Sequence, residues 1–323
     1  MYRKLTAIVI PTLIAVGIIA YMLYRVWDDL LAALEHLVPL YLFLAVIVCL
    51  AAWWLRGVRY RQILGSLLIP VSTGFSTACI FISQTVNLIV PARLGDLVRV
   101  IVLRHEKQAT VSAGISSLVV ERVFDVLTIA LLGLISLTFV LQVPDWFFTA
   151  IILPIAIGAV FFAFLLFADR IRSENRYIRI VLTMLEQIRQ ASLTVRSLVF
   201  LTGISIVIWL SDMVVCQFVV LMFGEQIPFA IIALAIVIGN LVKAIPITPG
   251  GVGTYELALV ATFSLAGVSP AVATLIAVID HLIKNLVTLG GGAVSIHYLG
   301  GWVVPSIRKA LNKELADGDQ PGN

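Results

Sequence analysis

The sequence predicts an all-α polytopic membrane protein, with about six transmembrane helices and two re-entrant helical hairpins arranged as an inverted repeat. Three observations predict it. Hydrophobic residues make up 61% of the 323 positions, charged residues only 12%, and mean hydropathy is +1.08; no soluble globular domain keeps that balance. Two stretches within apolar sequence, Asn87 to Asp96 (NLIVPARLGD) and Asn240 to Glu256 (NLVKAIPITPGGVGTYE), are broken by Pro and Gly. Lipid cannot satisfy the backbone groups freed there, so each break must be buried in protein or line a watery cavity. Finally, the breaks recur at one spacing. Residue 38 lies 53 residues before Pro91 and residue 197 lies 52 before Pro249; Glu121 and Arg122 follow Pro91 by 30 and 31, and Asp280 and His281 follow Pro249 by 31 and 32.

Taken in order, apolar runs near 5–26, 38–58, 110–142, 147–168, 197–223 and 270–299 are long enough to span. The first follows Arg3 and Lys4 and resembles a signal peptide. Its length, about 22 residues, exceeds the usual ~7–15-residue apolar core and predicts a retained helix. Lysine and arginine in the loops set orientation. Arg3 and Lys4 put the N-terminus inside, Asp28, Asp29 and Glu35 lie outside, and Arg56, Arg59 and Arg61 return the chain to the cytoplasm. Segment 72–103 is apolar, yet Arg99, Arg104 and Lys107 beyond it also demand the inside. A re-entrant hairpin bent at Pro91–Gly95 meets both conditions. Segments 110–142 and 147–168 cross out and back, and 170–196 reads as an amphipathic linker with apolar Ile178, Val181, Leu182, Leu185 and Ile188. Segment 197–223 crosses out, 228–268 forms the second hairpin from the opposite face, and 270–299 returns to Arg308 and Lys309. One membrane domain, 1–304, thus holds repeats at about 38–142 and 197–299. The polar tail 305–323 reads as disordered, and both termini as cytoplasmic at the cell membrane.

An ionised side chain at the bilayer centre costs ~2.5–3.5 kcal/mol, so each must be paired or functional. Glu121, Arg122 and Asp125 lie within about one turn, and Arg122 is spaced to reach Asp125. Two acids against one base leave a carboxyl that is protonated or awaits a cation; the plain alternative is a locking salt bridge. Asp280 and Lys284 form an acid-first i,i+4 pair. His281 occupies the place of Arg122 in the other half and is either a titrating cation or a packing residue. At the second break, Gly250 and Gly251 would expose backbone N–H groups ahead of a half-helix starting near Thr254, a ready anion site. Glu256 either caps that helix or competes there with an anionic headgroup. Lys243 and Arg93 add positive charge at the two breaks. Asp212 is the isolated acid, with Arg56 or Arg122 as candidate partner. Asn87 and Asn240 are placed to satisfy freed backbone groups. Cys49, Cys79 and Cys216 read as core residues without metal-ligand spacing.

With these residues in view, the chain resembles the lysylphosphatidylglycerol synthase transmembrane-region family, the membrane part of multiple peptide resistance factors. The likeness covers roughly residues 10–300 and rests on NLIVPARLGDLVR, ERVFDVLT and, most specifically, NLVKAIPITPGGVGTYE. It implies an inverted-repeat, lipid-translocating domain. In the resistance factors that domain flips aminoacylated phosphatidylglycerol made by a soluble domain, and other relatives are tied to glycosylation and glycolipid pathways. This sequence carries no C-terminal synthase domain, and His281 stands where symmetry suggests arginine.

The leading expectation is a lipid flippase with a polar groove at mid-membrane. It would move an anionic or aminoacylated phospholipid, glycolipid or polyprenyl-phosphate lipid. Arg93, Arg122, Lys243, Gly250, Gly251, Thr254, Glu256, His281 and Lys284 would bind the headgroup, with Glu121, Asp125, Asp212 and Asp280 balancing charge or coupling to protons. No cofactor, metal or nucleic acid is expected, and an oligomer is compatible with the sequence. GGVGT lacks the GK[ST] ending of an ATP-binding loop. An intramembrane enzyme is the weaker class, since no HExxH or GxSxG is present. A non-catalytic partner of a separate lipid synthase or glycosyltransferase is the third.

Overall fold

A computed structural model describes residues 13–14, 16–24, 27–28, 37–90, 93–140, 144–167, 170–171, 174–245 and 248–306, and no strand occurs among them. The helices are α1 Pro39–Ser66, α2 Thr73–Ile89, α3 Gly95–Lys107, α4 Val111–Leu137, α5 Asp145–Phe167, α6 Arg176–Ser192, α7 Val195–Met222, α8 Phe229–Ala244, α9 Thr254–Leu265 and α10 Pro270–Leu299. A 3-10 turn, Pro249–Gly251, lies between α8 and α9. Of the first expected span, 13–14 and 16–24 are described, and 16–24 are helical. Arg3, Lys4, Asp29, Glu35, Pro91, Ala92, Pro246 and everything from residue 307 lie outside the described residues.

Local sequence explains where the helices begin. Ser72, Thr110, Thr194 and Ser269 cap α2, α4, α7 and α10, each side-chain oxygen accepting the N–H three residues on at 3.1–3.3 Å. Among the described residues four helices, α1, α5, α7 and α10, are long and apolar enough to cross a membrane. α4 has the length, 27 residues, but carries Glu121, Arg122 and Asp125 in its middle. α5 packs mainly on α4 and leaves Ile157 and Val160 exposed, the surface a lipid-facing helix presents. α6 turns Ile188 and Ala191 toward α4 and α7 while Ile178 and Val181 stay exposed. That fits an amphipathic linker whose buried face is narrower than its apolar pattern.

The expected second span stops at residue 58, but α1 runs on to Ser66. Arg56 and Arg59 therefore sit inside the bundle rather than in a cytoplasmic loop. Arg99 is also enclosed, at 0% exposure. These three arginines do not mark topology. Arg61, Arg104 and Lys107 remain exposed.

Packing is pseudo-symmetric. Helices α1, α2, α3 and α4 have 28, 17, 13 and 27 residues, and α7, α8, α9 and α10 have 28, 16, 12 and 30. α1 packs on α7 at the centre. α2 and α3 pack on each other as α8 and α9 do, and α2 crosses to α10 as α8 crosses to α4. Both crossings are made close by glycine. A Cβ at Gly291 of α10 would lie 2.3 Å from Phe81 of α2, and one at Gly133 of α4 would lie 2.7 Å from Val237 of α8. Small residues let membrane helices approach where lipid supplies no hydrophobic drive.

Candidate functional site

The two broken segments meet around one cavity of about 200 Å³. Its wall combines α1, α2, α4, α7, α8 and α10 with both breaks, so residues far apart in sequence converge there. Of the expected site residues, Arg93, Arg122, Lys243, Gly250, Gly251, His281, Lys284, Glu121, Asp125 and Asp212 line it. Thr254, Glu256 and Asp280 do not. The last two stand directly behind the wall, bonded to residues that do.

Each acid has its own base, and the bases come from other helices more often than expected. Arg122 makes the expected i,i+3 ion pair with Asp125 only at 4.0 Å; its closer contacts are to both oxygens of Asp96, at the start of α3, at 3.0 Å. Asp125 takes Arg59 of α1 at 2.6 Å, with Ser205 as a second partner of that arginine at 2.9 Å. Glu121 takes the enclosed Arg99 at 2.6 Å. The expected surplus carboxyl on α4 is thus absent, because α1 and α3 deliver arginines that were taken for loop residues. Asp212 pairs with Arg56 at 2.7 Å, one of its two candidate partners. Asp280 accepts from Lys284 at 2.8 Å, as spaced, and from the Tyr255 hydroxyl at 2.8 Å.

At the second break the arrangement differs from a bare anion site. The N–H groups of Gly251 and Val252 donate to the carbonyls of Thr248 and Pro249 within the 3-10 turn, at 3.1 Å each. Gly253 N–H donates to Glu256 Oε2 at 2.7 Å, the acid half of a capping box at the start of α9, glycine having no side chain to supply the other half. Helix α9 does begin at Thr254, but the hydroxyl of Thr254 donates back to Gly251 O at 3.1 Å. The turn and the cap consume donors that the sequence pattern alone leaves free. Gly250, Gly251 and Gly253 have φ of +62°, +76° and +85°, which side chains with a Cβ rarely adopt.

A hydrogen-bonded chain runs from this cap into the cavity. Glu256 Oε1 lies 2.7 Å from His281 Nδ1, and His281 Nε2 lies 3.0 Å from Lys243 Nζ. A lysine ammonium only donates, so Nε2 accepts and the ring proton sits on Nδ1, facing the carboxylate. The pairs Asp96–Arg122 and Glu256–His281 are counterparts: an acid in the first turn of α3 or α9 meets a base in α4 or α10. Arg93, at φ +55°, donates to the carbonyl of Lys243 at 3.2 Å, tying one break to the other.

Asn87 behaves as expected, its Oδ1 accepting from Gly95 N–H across the first break at 2.8 Å. Asn240 instead donates to Ile236 O in its own helix at 2.8 Å, leaving its amide oxygen toward the cavity. The lining also holds Trp53, Gln84, Trp209 and Thr248, which the sequence reading does not single out, and Asn285, which stands with Asp280, His281 and Lys284 on the last span. Asn285, four residues after His281 on α10, was legible as a polar amide in the middle of an apolar helix. Among the described residues, no group of three or more His, Cys, Asp or Glu could hold a metal ion.

Comparison with known proteins identifies the family of the chain. Residues 8–292 match the family model described as lysylphosphatidylglycerol synthase TM region. The glycosyltransferase AglD of Haloferax volcanii is 33% identical over 98% of this chain, and the chain spans 58% of that protein's length. A UPF0104 membrane protein of Methanothermobacter thermautotrophicus is 23% identical, covering 86% of this chain and 91% of its own length. Another, of Methanocaldococcus jannaschii, is 25% identical over 66% of this chain and 93% of its own length. No solved structure matches.

Proposed function

The chain belongs to the lysylphosphatidylglycerol synthase transmembrane-region family, and from that premise we propose that it is a lipid flippase of the cell membrane. The family's general role is membrane lipid handling; the reading here adds the path. The broken segments α2–α3 and α8–α9 act as hairpins dipping from opposite faces, within an inverted repeat of about 38–142 and 197–299. With six spans in all, both termini face the cytoplasm. A phosphate-bearing headgroup lodges between the breaks while its acyl or prenyl chains stay in lipid. The substrate class is an anionic or aminoacylated phospholipid, a glycolipid or a polyprenyl-phosphate lipid.

The single observation that carries this reading is the cavity itself. Ten expected charge- or glycine-bearing residues face one polar space inside an apolar bundle. Membrane proteins keep such groups only where they are paired or in use. Arg93, Arg122, Lys243, His281 and Lys284 meet the headgroup, with Gly250 and Gly251 giving the backbone its close approach. Glu256 holds His281 in place, Thr254 fixes the turn, and Glu121, Asp125, Asp212 and Asp280 balance the bases. The test is reconstitution in vesicles with headgroup-labelled lipids, following loss of inner-leaflet protection. Wild type should exceed empty vesicles, and Arg122→Ala and Glu256→Gln should fall toward them. Wild type at the empty-vesicle rate contradicts the reading.

A second reading is favoured by one comparison, the match of almost the whole chain to part of a glycosyltransferase. On that reading the chain is the membrane partner of a separate glycosyltransferase or lipid synthase. Arg122→Ala and Glu256→Gln would then spare function, while changes on the exposed helix faces would abolish it.

A further inference from the structure

The cavity's charge and its neutral donors narrow the headgroup it takes. On and directly behind its wall, among the described residues, seven cations stand against six carboxylates. Five cations are matched one to one in the ion pairs given above. Lys243 is linked to the sixth carboxylate, Glu256, through neutral His281. Arg93 is left with only a carbonyl partner. One positive charge therefore remains, and it lies where the two breaks touch. A phosphodiester, with one negative charge and two free oxygens, fits an arginine beside a lysine. A headgroup esterified with lysine, which adds ammonium groups, would set positive charge against positive charge in a low-dielectric space.

Beside these charges, the cavity wall carries neutral hydrogen-bonding groups. Gln84, Asn240, Asn285 and Thr248 line the space, and among the described residues the amide of Asn285 has no hydrogen-bond partner. The Nε1–H of Trp209, another lining residue, is buried without a partner. Buried donors in native proteins are nearly always satisfied, and hydroxyl groups of a bound headgroup would satisfy these. Size sets the last bound. At about 200 Å³ the space is smaller than the ~300–1,000 Å³ pockets of drug-sized ligands, leaving room for a phosphate and one small unit.

We infer that the cavity selects lipids with a single monoanionic phosphodiester carrying a small, neutral, hydroxylated headgroup, against aminoacylated, cationic ones. This rests on the proposed lipid path and names its substrate class. The shared chemistry has two sources, glycerol on a phospholipid or one sugar on a phosphoprenol.

Binding is measured apart from transport, by tryptophan fluorescence of the purified full chain with short-chain lipids. The probes are phosphatidylglycerol, a glucosyl phosphoprenol, lysyl-phosphatidylglycerol and phosphatidylmethanol, the last a phosphodiester without hydroxyls. At least one polyol diester should bind about tenfold tighter than each of the other two, the scale of one or two hydrogen bonds or one charge. The tighter arm identifies the source. Asn285→Ala and Trp209→Phe should lower the preference for the polyol over phosphatidylmethanol, and Asn285→Gln should retain part of it. Lysyl-phosphatidylglycerol binding as tightly as the polyol diesters would overturn the inference, as would phosphatidylmethanol doing so or neither polyol diester binding. Selective binding without movement would spare the inference and sink the flippase. Movement of lysyl-phosphatidylglycerol as fast as the rest would do the reverse.

Discussion

Arg99 and Glu121 meet at 2.6 Å with exposures of 0% and 4%. Two buried charges persist there because each neutralises the other, and the Tyr60 ring covers the guanidinium at 4.6 Å. Removing one partner strands the other, at a typical cost of ~3–5 kcal/mol, whereas replacing both with apolar residues is often neutral. Arg99→Met or Glu121→Met alone should therefore lower thermal stability in detergent sharply, and the double variant should recover most of it. A double variant that loses as much as the two single variants added together would show that the pair is not coupled. The Arg56–Asp212 pair differs because both its members line the cavity, whereas Arg99 does not. Arg56→Met with Asp212→Leu should keep the fold yet reduce lipid movement severalfold in the vesicle assay. The acids of this site were legible in the sequence because a carboxylate in an apolar run has no other reading. Of their partners, Lys284 and Arg56 were legible, and Arg59 and Arg99 were not. An arginine near the end of an apolar run looks the same whether it faces water or, like Arg59, is drawn inward by a helix that continues another turn or two.

Among the elements, the breaks show how far local pattern reaches. Pro and Gly located both interruptions, and α9 starts at Thr254 as its capping acid predicts. What the pattern could not give was the fate of the freed N–H groups. Whether a glycine-rich loop bares them or folds them into a 3-10 turn depends on φ values that glycine leaves open. Gly251 makes the consequence testable. A Cβ there would stand 2.6 Å from Cγ of Lys243, at a φ that favours glycine. Gly251→Ala should push Lys243 away from His281 and cost ~1–2 kcal/mol of local strain. The expected result is a modest fall in thermal midpoint with a large loss of lipid movement; a full-rate variant would remove the turn from the account. Gly95→Ala tests the first hairpin in the same way. Its Cβ would fall 2.1 Å from Ser83 O, against backbone that cannot yield, so the α2–α3 bend should open and stability should drop.

For the whole molecule, the recurring spacing of two breaks and two polar-centred helices already implied duplication, and the contacts of α1–α4 with α7–α10 have that pairing. Sequence identity could not show it, because the halves keep roles rather than residues: Arg122 answers to His281, and Asp96 to Glu256. The crossing of each broken segment to the polar helix of the other half was invisible in the sequence, since only packing joins Gly291 to Phe81 and Gly133 to Val237. Gly133→Leu and Gly291→Leu should each separate the halves, reducing both stability and lipid movement. Everything proposed depends on a hydrated space between the breaks, enclosed by the membrane. Cysteine reactivity measures it directly. Gln84 of α2 and Asn240 of α8 would each be replaced by Cys in a protein whose Cys49, Cys79 and Cys216 are Ala, then exposed in vesicles to a small charged thiol reagent. The account predicts that both react, more slowly than a cysteine in bulk water, and that phosphodiester lipid protects them. Complete inertness, or bulk-water rates untouched by lipid, would contradict it.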